Sequence, residues 1–249
     1  MMKKVLFLIP LILISTSCKK NSSSNVLEYE LKADNTYRVF LSENSKEKSI
    51  TIPKTYNKKE VSEISGFRKN DYLEKVKFYG NIKKIDEGSF TFCTNLKSIT
   101  VSNSSYYSSS DGILYENDNI LVYPSGKTDQ TLTITKNVKR RAFTLAPNLK
   151  KIIIKSDKID EYSFYYMENL DEIIIDNDAK VIDKNFFYGF EPDKVIIKNE
   201  TLTKSLSLNY AKKIYAKEYV SLSNETLEHY TKTGKDTIDG IIYEIYEIK

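Results

Sequence analysis

Ile159-Asp-Glu-Tyr-Ser-Phe164-Tyr-Tyr-Met-Glu-Asn-Leu170-Asp-Glu-Ile173-Ile-Ile175 is one full copy of a phrase that the chain repeats. The phrase is Ile, four residues, Phe, five residues, Leu, two residues, Ile, one residue, then Ile or Val. It recurs as Ile85, Phe90, Leu96, Ile99, Val101 and as Val138, Phe143, Leu149, Ile152, Ile154, with a weaker copy at Ile182, Phe187, Val195, Ile197. Leu73 and Leu96 lie 23 apart, Leu149 and Leu170 21, Ile173 and Val195 22. A fixed period of that size predicts a solenoid, in which each copy buries its apolar edge only against its neighbours. Such a stack offers a binding surface before it offers chemistry.

The apolar triplets closing each copy predict the rungs: Ile50-Thr-Ile52, Val76-Lys-Phe78, Ile99-Thr-Val101, Leu132-Thr-Ile134, Ile152-Ile-Ile154, Ile173-Ile-Ile175 and Val195-Ile-Ile197. The gap of 33 from Ile99 to Leu132 predicts an insert at about 103–131, with Ile113-Leu-Tyr115 and Ile120-Leu-Val-Tyr123 as a hairpin projecting from the stack. Before the solenoid, which spans 50–198, residues 26–49 predict a β-hairpin cap over its first edge, from alternation at Leu27, Tyr29, Leu31 and at Tyr37, Val39, Leu41. Residues 199–249 lose the period and read as a mixed α/β cap. It has a short helix at Thr226 to Tyr230, capped by Ser223 or Asn224, and a strand at Ile241 to Ile248.

At the start, Lys3 and Lys4 precede the apolar run Val5 to Ile14, which is too short to span a bilayer as a helix. Ser15-Thr-Ser-Cys18 resembles a lipoprotein cleavage box, so 1–17 is expected to be a signal peptide, Cys18 to carry the lipid, and 18–25 to be a flexible tether. Cys93 is then without a cysteine partner and is expected to pack in the core. Lys and Arg total 38 against 34 acids, and 36 against 34 once the signal is removed, a balance that argues against nucleic acid as a partner and leaves the lipid as the sole membrane contact. The one histidine, His229, lacks a nucleophile signature nearby, and no phosphate loop, zinc spacing or calcium loop is present, so no enzyme, metal or cofactor is expected.

The stretch Ile82-Lys-Lys-Ile-Asp-Glu-Gly-Ser-Phe-Thr-Phe-Cys-Thr-Asn-Leu-Lys-Ser-Ile99, with Tyr107-Ser-Ser-Ser-Asp-Gly-Ile-Leu-Tyr115 and Tyr123-Pro-Ser-Gly126, resembles the BspA-like leucine-rich repeat family of bacterial surface proteins over roughly 50–198. The resemblance implies a curved leucine-rich repeat solenoid with parallel strands on its concave face, a cell-surface or outer-membrane setting, and an adhesive role. It also implies an apolar residue three places after each repeat Phe, where this chain has Cys93, Ala146, Met167 and Phe190. The expected partner is a protein, of the host matrix or of another cell surface, with a monomer as the default. A glycan-binding or glycan-processing envelope protein, or a purely structural envelope component, is the alternative.

Aligning the later rungs sets Lys151, Glu172 and Lys194 in one column and Lys155, Asp176 and Lys198 in another. Between them Ile153, Ile174 and Ile196 would form an apolar stripe, a candidate partner site if exposed. The same isoleucines would also fit simple strand preference, or burial beneath the C-terminal cap. Tyr106, Tyr107, Tyr115 and Tyr123 in the insert are further candidate contacts, while Tyr162, Tyr165, Tyr166 and Tyr188 fall on the Phe side of the turns.

Overall fold

The computed structural model describes residues 26–249 apart from 203–205, 207, 209, 219 and 221. The expected signal peptide, Cys18 and tether lie outside the described residues. Parallel rungs form two ladders. Ser49–Thr51, Lys75–Tyr79 and Ser98–Ser102 make the first, and Thr131–Ile134, Lys151–Ile154, Glu172–Ile175, Lys194–Ile197 and Lys213–Lys217 the second. The second ladder therefore runs one rung past Lys198. Its register aligns Ile152, Ile173, Val195 and Ile214, and likewise Ile154, Ile175, Ile197 and Ala216, all fully buried. Because side chains alternate across a strand, one register error would turn both apolar columns outward, so the core itself fixes the pairing.

The rest of each turn is also laddered. Phe143, Phe164 and Phe187 pair in parallel and are buried, with Tyr123 bridged onto Phe143. Cys93, Ala146, Met167 and Phe190 are buried behind them. Cys93 donates its thiol to the Phe67 carbonyl at 2.9 Å, and burial pushes its pKa up to about 11. That holds the sulfur in its unreactive form at neutral pH. The residue before each repeat Leu ties one turn to the last: Asn95, Asn148 and Asn169 donate to the carbonyls of Asp71, Lys127 and Pro147 at 2.6, 2.7 and 3.1 Å. These amides satisfy backbone acceptors that loop geometry leaves unpaired.

The insert does not project. It is a three-stranded antiparallel sheet of Tyr107–Ser110, Ile113–Glu116 and Asn119–Val122, folded into the stack between the two ladders. Leu114 joins the core of the first half, whereas Ile113, Ile120 and Tyr123 join that of the second. A free hairpin would have left these four side chains in water, at roughly 1.5–3 kcal/mol for each aliphatic. Ile120 bridges Val138 and Tyr123 bridges Phe143, so Asn119–Tyr123 is a disguised repeat turn.

The N-terminal hairpin, Leu27–Leu31 with Tyr37–Leu41, joins the side of the coil and not the rung edge at Ser49–Thr51. Tyr37–Leu41 runs parallel to Lys59–Ile64, which in turn pairs with Lys84–Ile85. Glu63 clasps this junction. Its carboxylate is 1% exposed and takes Arg38 at 2.8 Å, Lys84 at 2.9 Å and Lys32 at 3.2 Å. Burial pushes its pKa upward, but the hydrogen bonds from Arg38, Lys84 and Lys32 prevail and hold it below the usual carboxylate value.

At the other end, Asn224–His229 forms a short helix whose N-cap Ser223 accepts from the Thr226 amide. A long hairpin follows, Tyr230–Ile238 with Ile241–Ile248, and its second strand pairs antiparallel with the last rung. The strand Tyr230–Ile238 did not show in the sequence because Thr231-Lys-Thr-Gly-Lys-Asp-Thr237 carries no apolar alternation.

Candidate functional site

The expected isoleucine stripe is not exposed. Ile174 is 7% and Ile196 2% accessible, and both pack with fully buried Tyr243. Ile153, Tyr215 and Ile238 lie half-buried around them. The hairpin strands of nine and eight residues outrun the four-residue rungs, which carries their far ends across the concave face. Only the earlier rungs leave the middle residue open, at Lys77, Thr100 and Thr133. The first charge column forms, with Lys151 and Lys194 at 2.7 and 2.8 Å from Glu172. In the second, Lys198 turns instead to Asp239 of the hairpin at 3.5 Å.

The insert tyrosines do not form a contact surface either. Tyr107 and Tyr123 are buried, the first edge-on to Phe78 and the second donating its hydroxyl to Asp129 at 2.8 Å. Tyr115 is half-buried against the core, leaving Tyr106 alone at 49% exposure.

The structure gathers a different set of residues, on the Phe side of the turns. There each Phe of the strands Phe143–Thr144, Phe164–Tyr165 and Phe187–Tyr188 is buried; Thr144 is buried too, but Tyr165 and Tyr188 point out. Tyr165 and Tyr188 consequently stack at 5.5 Å with planes 12° apart. Tyr166 meets Tyr165 edge-on at 4.6 Å, Tyr162 meets Tyr188 at 5.5 Å, and Phe92 lies 6.1–6.2 Å from Tyr166 and Tyr165. Tyr188 is 44% exposed and the other rings are half-buried. Two guanidinium groups lie on this platform, Arg140 over Tyr162 at 5.2 Å and Arg141 over Tyr165 at 5.6 Å.

Backbone conformation marks the same surface. The residue two places after each repeat Phe has positive φ: Phe92 at 60°, Leu145 at 62°, Tyr166 at 53° and Gly189 at 76°. Glycine adopts that conformation freely, while a bulky residue costs about 1–2 kcal/mol. Gly189 is also obligatory for a steric reason, since a Cβ there would stand 2.8 Å from the Tyr166 ring. The same conformation recurs at Lys69, two places after Phe67, so it belongs to the turn itself, and three of the turns fill it with the half-buried Phe92, Leu145 and Tyr166.

Beside the platform lies a notch of about 320 Å³. Regular turns place four residues between the Ile and Phe positions, as in Val138 to Phe143, whereas the disguised turn has two, between Ile120 and Tyr123. The shortfall opens a gap floored by Leu121, Val122 and Tyr123 and walled by Glu87 and Gly88 on one side and Arg140 and Arg141 on the other. Arg140 spans it, 3.3 Å from Glu87 and 3.2 Å from Glu161, and Arg141 lies 3.6 Å from Glu87. Among the described residues no group of three or more His, Cys, Asp and Glu is placed to hold a metal ion, and His229 ends the short helix facing solvent.

Stacked parallel rungs, a repeat of 21 to 23 residues and buried Leu, Phe and Ile ladders together define a leucine-rich repeat solenoid. The chain belongs to the BspA type leucine rich repeat region family, whose sequence model matches residues 16–122 and 130–226 in six copies. Among curated proteins none matches. Of solved structures, the pneumococcal vaccine antigen PcpA is similar at 20% identity and a TM-score of 0.50, over 69% of this chain and 53% of that one. This chain thus spans about half the length of PcpA. A leucine-rich repeat protein from Eubacterium ventriosum aligns over 82% of this chain and 80% of its own at 14% identity and a TM-score of 0.49. A leucine rich cell surface protein from Faecalibacterium prausnitzii aligns over 83% and 96% at 14% and 0.40.

Proposed function

We propose that this is a lipid-anchored protein of a bacterial envelope that binds a protein partner in adhesion or cell contact, and that the partner lies on the platform of Phe92, Tyr162, Tyr165, Tyr166 and Tyr188. The observation that carries the reading is this surface cluster of rings drawn from separate turns. Aromatic and arginine side chains supply most of the energy at protein interfaces, because they bury large area at small entropic cost. Rings already locked against one another lose little further freedom on binding. The matched pneumococcal protein is a vaccine antigen, a description that suits a molecule presented outward.

Surface plasmon resonance against a panel of extracellular-matrix proteins tests this. Tyr165→Ala and Tyr188→Ala should each weaken a positive interaction by about 30-fold, near 2 kcal/mol, with Lys155→Ala within about twofold. Absence of any matrix-protein binding, or equal losses at Lys155, would refute the platform. Anchoring has its own assay. With Cys18→Ser the protein should leave the detergent phase or accumulate as unprocessed precursor, because stable attachment requires the acyl chains. Unchanged partitioning and mature mass would show that Cys18 carries no lipid.

A further inference from the structure

We propose that the notch between Glu87 and Arg141, beside the aromatic platform and sharing Arg140 and Arg141 with it, is a binding site for a neutral sugar unit of a glycan. The notch exists because the disguised turn is two residues short, yet the ladders on either side of it continue without interruption from Tyr123 to Phe143 and from Ile120 to Val138. Its volume of about 320 Å³ is at the small end of ligand sites, enough for one or two rings and not for a folded segment.

The electrostatics select the ligand class. Each charge at the walls already has a counter-charge. Asp86 has Lys84 at 2.7 Å, Asp160 has Lys158 at 2.7 Å, Glu116 has Lys139 at 3.3 Å, and Glu87 faces both arginines. An entering anion would meet Glu87 and Asp160, and an entering cation would meet Arg140 and Arg141. Either would have to break an existing pair and leave a charge uncompensated. A neutral hydroxyl has no such penalty. It donates to a carboxylate and accepts from a guanidinium at once, and the notch presents both kinds of group across a narrow gap.

The buried hydroxyls agree. Ser89 donates to the Asp86 carbonyl at 2.7 Å and Thr91 to that of Gly88 at 2.8 Å, so each keeps lone pairs for an incoming donor. The floor of Leu121 and Val122 is apolar, which suits the C–H face of a sugar ring once its rim hydroxyls are matched. Charge-matched walls, donors and acceptors together, and an apolar floor point to a polyol ring and away from an acidic or basic side chain.

The test is saturation-transfer NMR and calorimetry on the full chain with neutral trisaccharides of glucose, mannose, galactose and N-acetylglucosamine, and with sialyllactose as the acidic probe. At least one neutral trisaccharide should bind with a dissociation constant of about 1 mM or tighter, the range open to a small ligand in a shallow site. Leu121→Trp, which fills the notch, and Glu87→Ala, a surface change that keeps the proposal testable if the first variant misfolds, should each weaken that binding about tenfold or more. Tyr188→Ala should leave it within about twofold, which separates the notch from the platform. The proposal is overturned if no neutral sugar binds at about 10 mM, if only sialyllactose binds, or if binding survives Glu87→Ala or a folded Leu121→Trp.

Discussion

Phe164→Ala should lower folding stability by about 3–5 kcal/mol, the cost of an aromatic core truncation that leaves a cavity. Phe164 is fully buried, with Phe143 at 5.0 Å on one side, Phe186 edge-on at 6.0 Å and Phe187 paired with it in register. The site has little room to collapse. Its backbone is held by hydrogen bonds from the Phe143 amide to the Ser163 carbonyl at 2.9 Å and from the Phe164 amide to the Phe186 carbonyl at 2.9 Å. In chains of this size about 1 kcal/mol corresponds to roughly 2–4 °C, so the melting temperature should fall by roughly 10 °C. In a quasi-linear stack each turn is stabilised only by its neighbours, so several turns should unfold together, broadening the transition or splitting it at the junction of the two core clusters. A melt within a degree of the parent would mean that the repeat Phe does not face the core.

The repeat was legible because its apolar positions recur at a fixed spacing and each makes the same contact in every turn. Ile173, Phe164 and Leu170 are read correctly from sequence for that reason, and the burial of Cys93, Ala146, Met167 and Phe190 follows from their shared place after the Phe. What failed to show was relational. Tyr123 stands where a Phe is expected, but with two residues after Ile120 instead of four, so its sequence reads as a projecting hairpin with a contact tyrosine and not as a core ring. Counting back 20 residues from Phe143 would have found it, and with it the missing pair that opens the notch. For Phe92, Arg140 and Arg141 nothing local points to a shared surface. Phe92 meets Tyr166 only across several turns, and its conformational oddity is a backbone angle that no composition reveals.

Ile174→Lys should destabilise the isolated protein by about 3–4 kcal/mol, where an exposed position would have cost no more than about 0.5. The middle residue of a rung ordinarily faces water, as Thr100 and Thr133 do, and the later isoleucines depart from that rule only because another element covers them. That element is the far end of the terminal hairpin, whose Tyr243 sits on Ile174 and Ile196 with its ring fully buried. A new ammonium at 174 would have to lose its water among Ile153, Ile196 and Tyr243, or else lift the hairpin away. Either route is unfavourable. Lifting the hairpin would expose Tyr243 and three isoleucines, at roughly 1.5–3 kcal/mol each for full exposure. Ile174→Val keeps the cluster apolar and should cost about 1 kcal/mol, and Lys155→Ala, beyond the rim, should cost within about 0.5 kcal/mol. Urea melts of the three variants therefore separate a covered stripe from an open one. If Ile174→Lys unfolds at the parent's midpoint, the hairpin does not rest on the concave face, and that face returns as a place where a partner can bind.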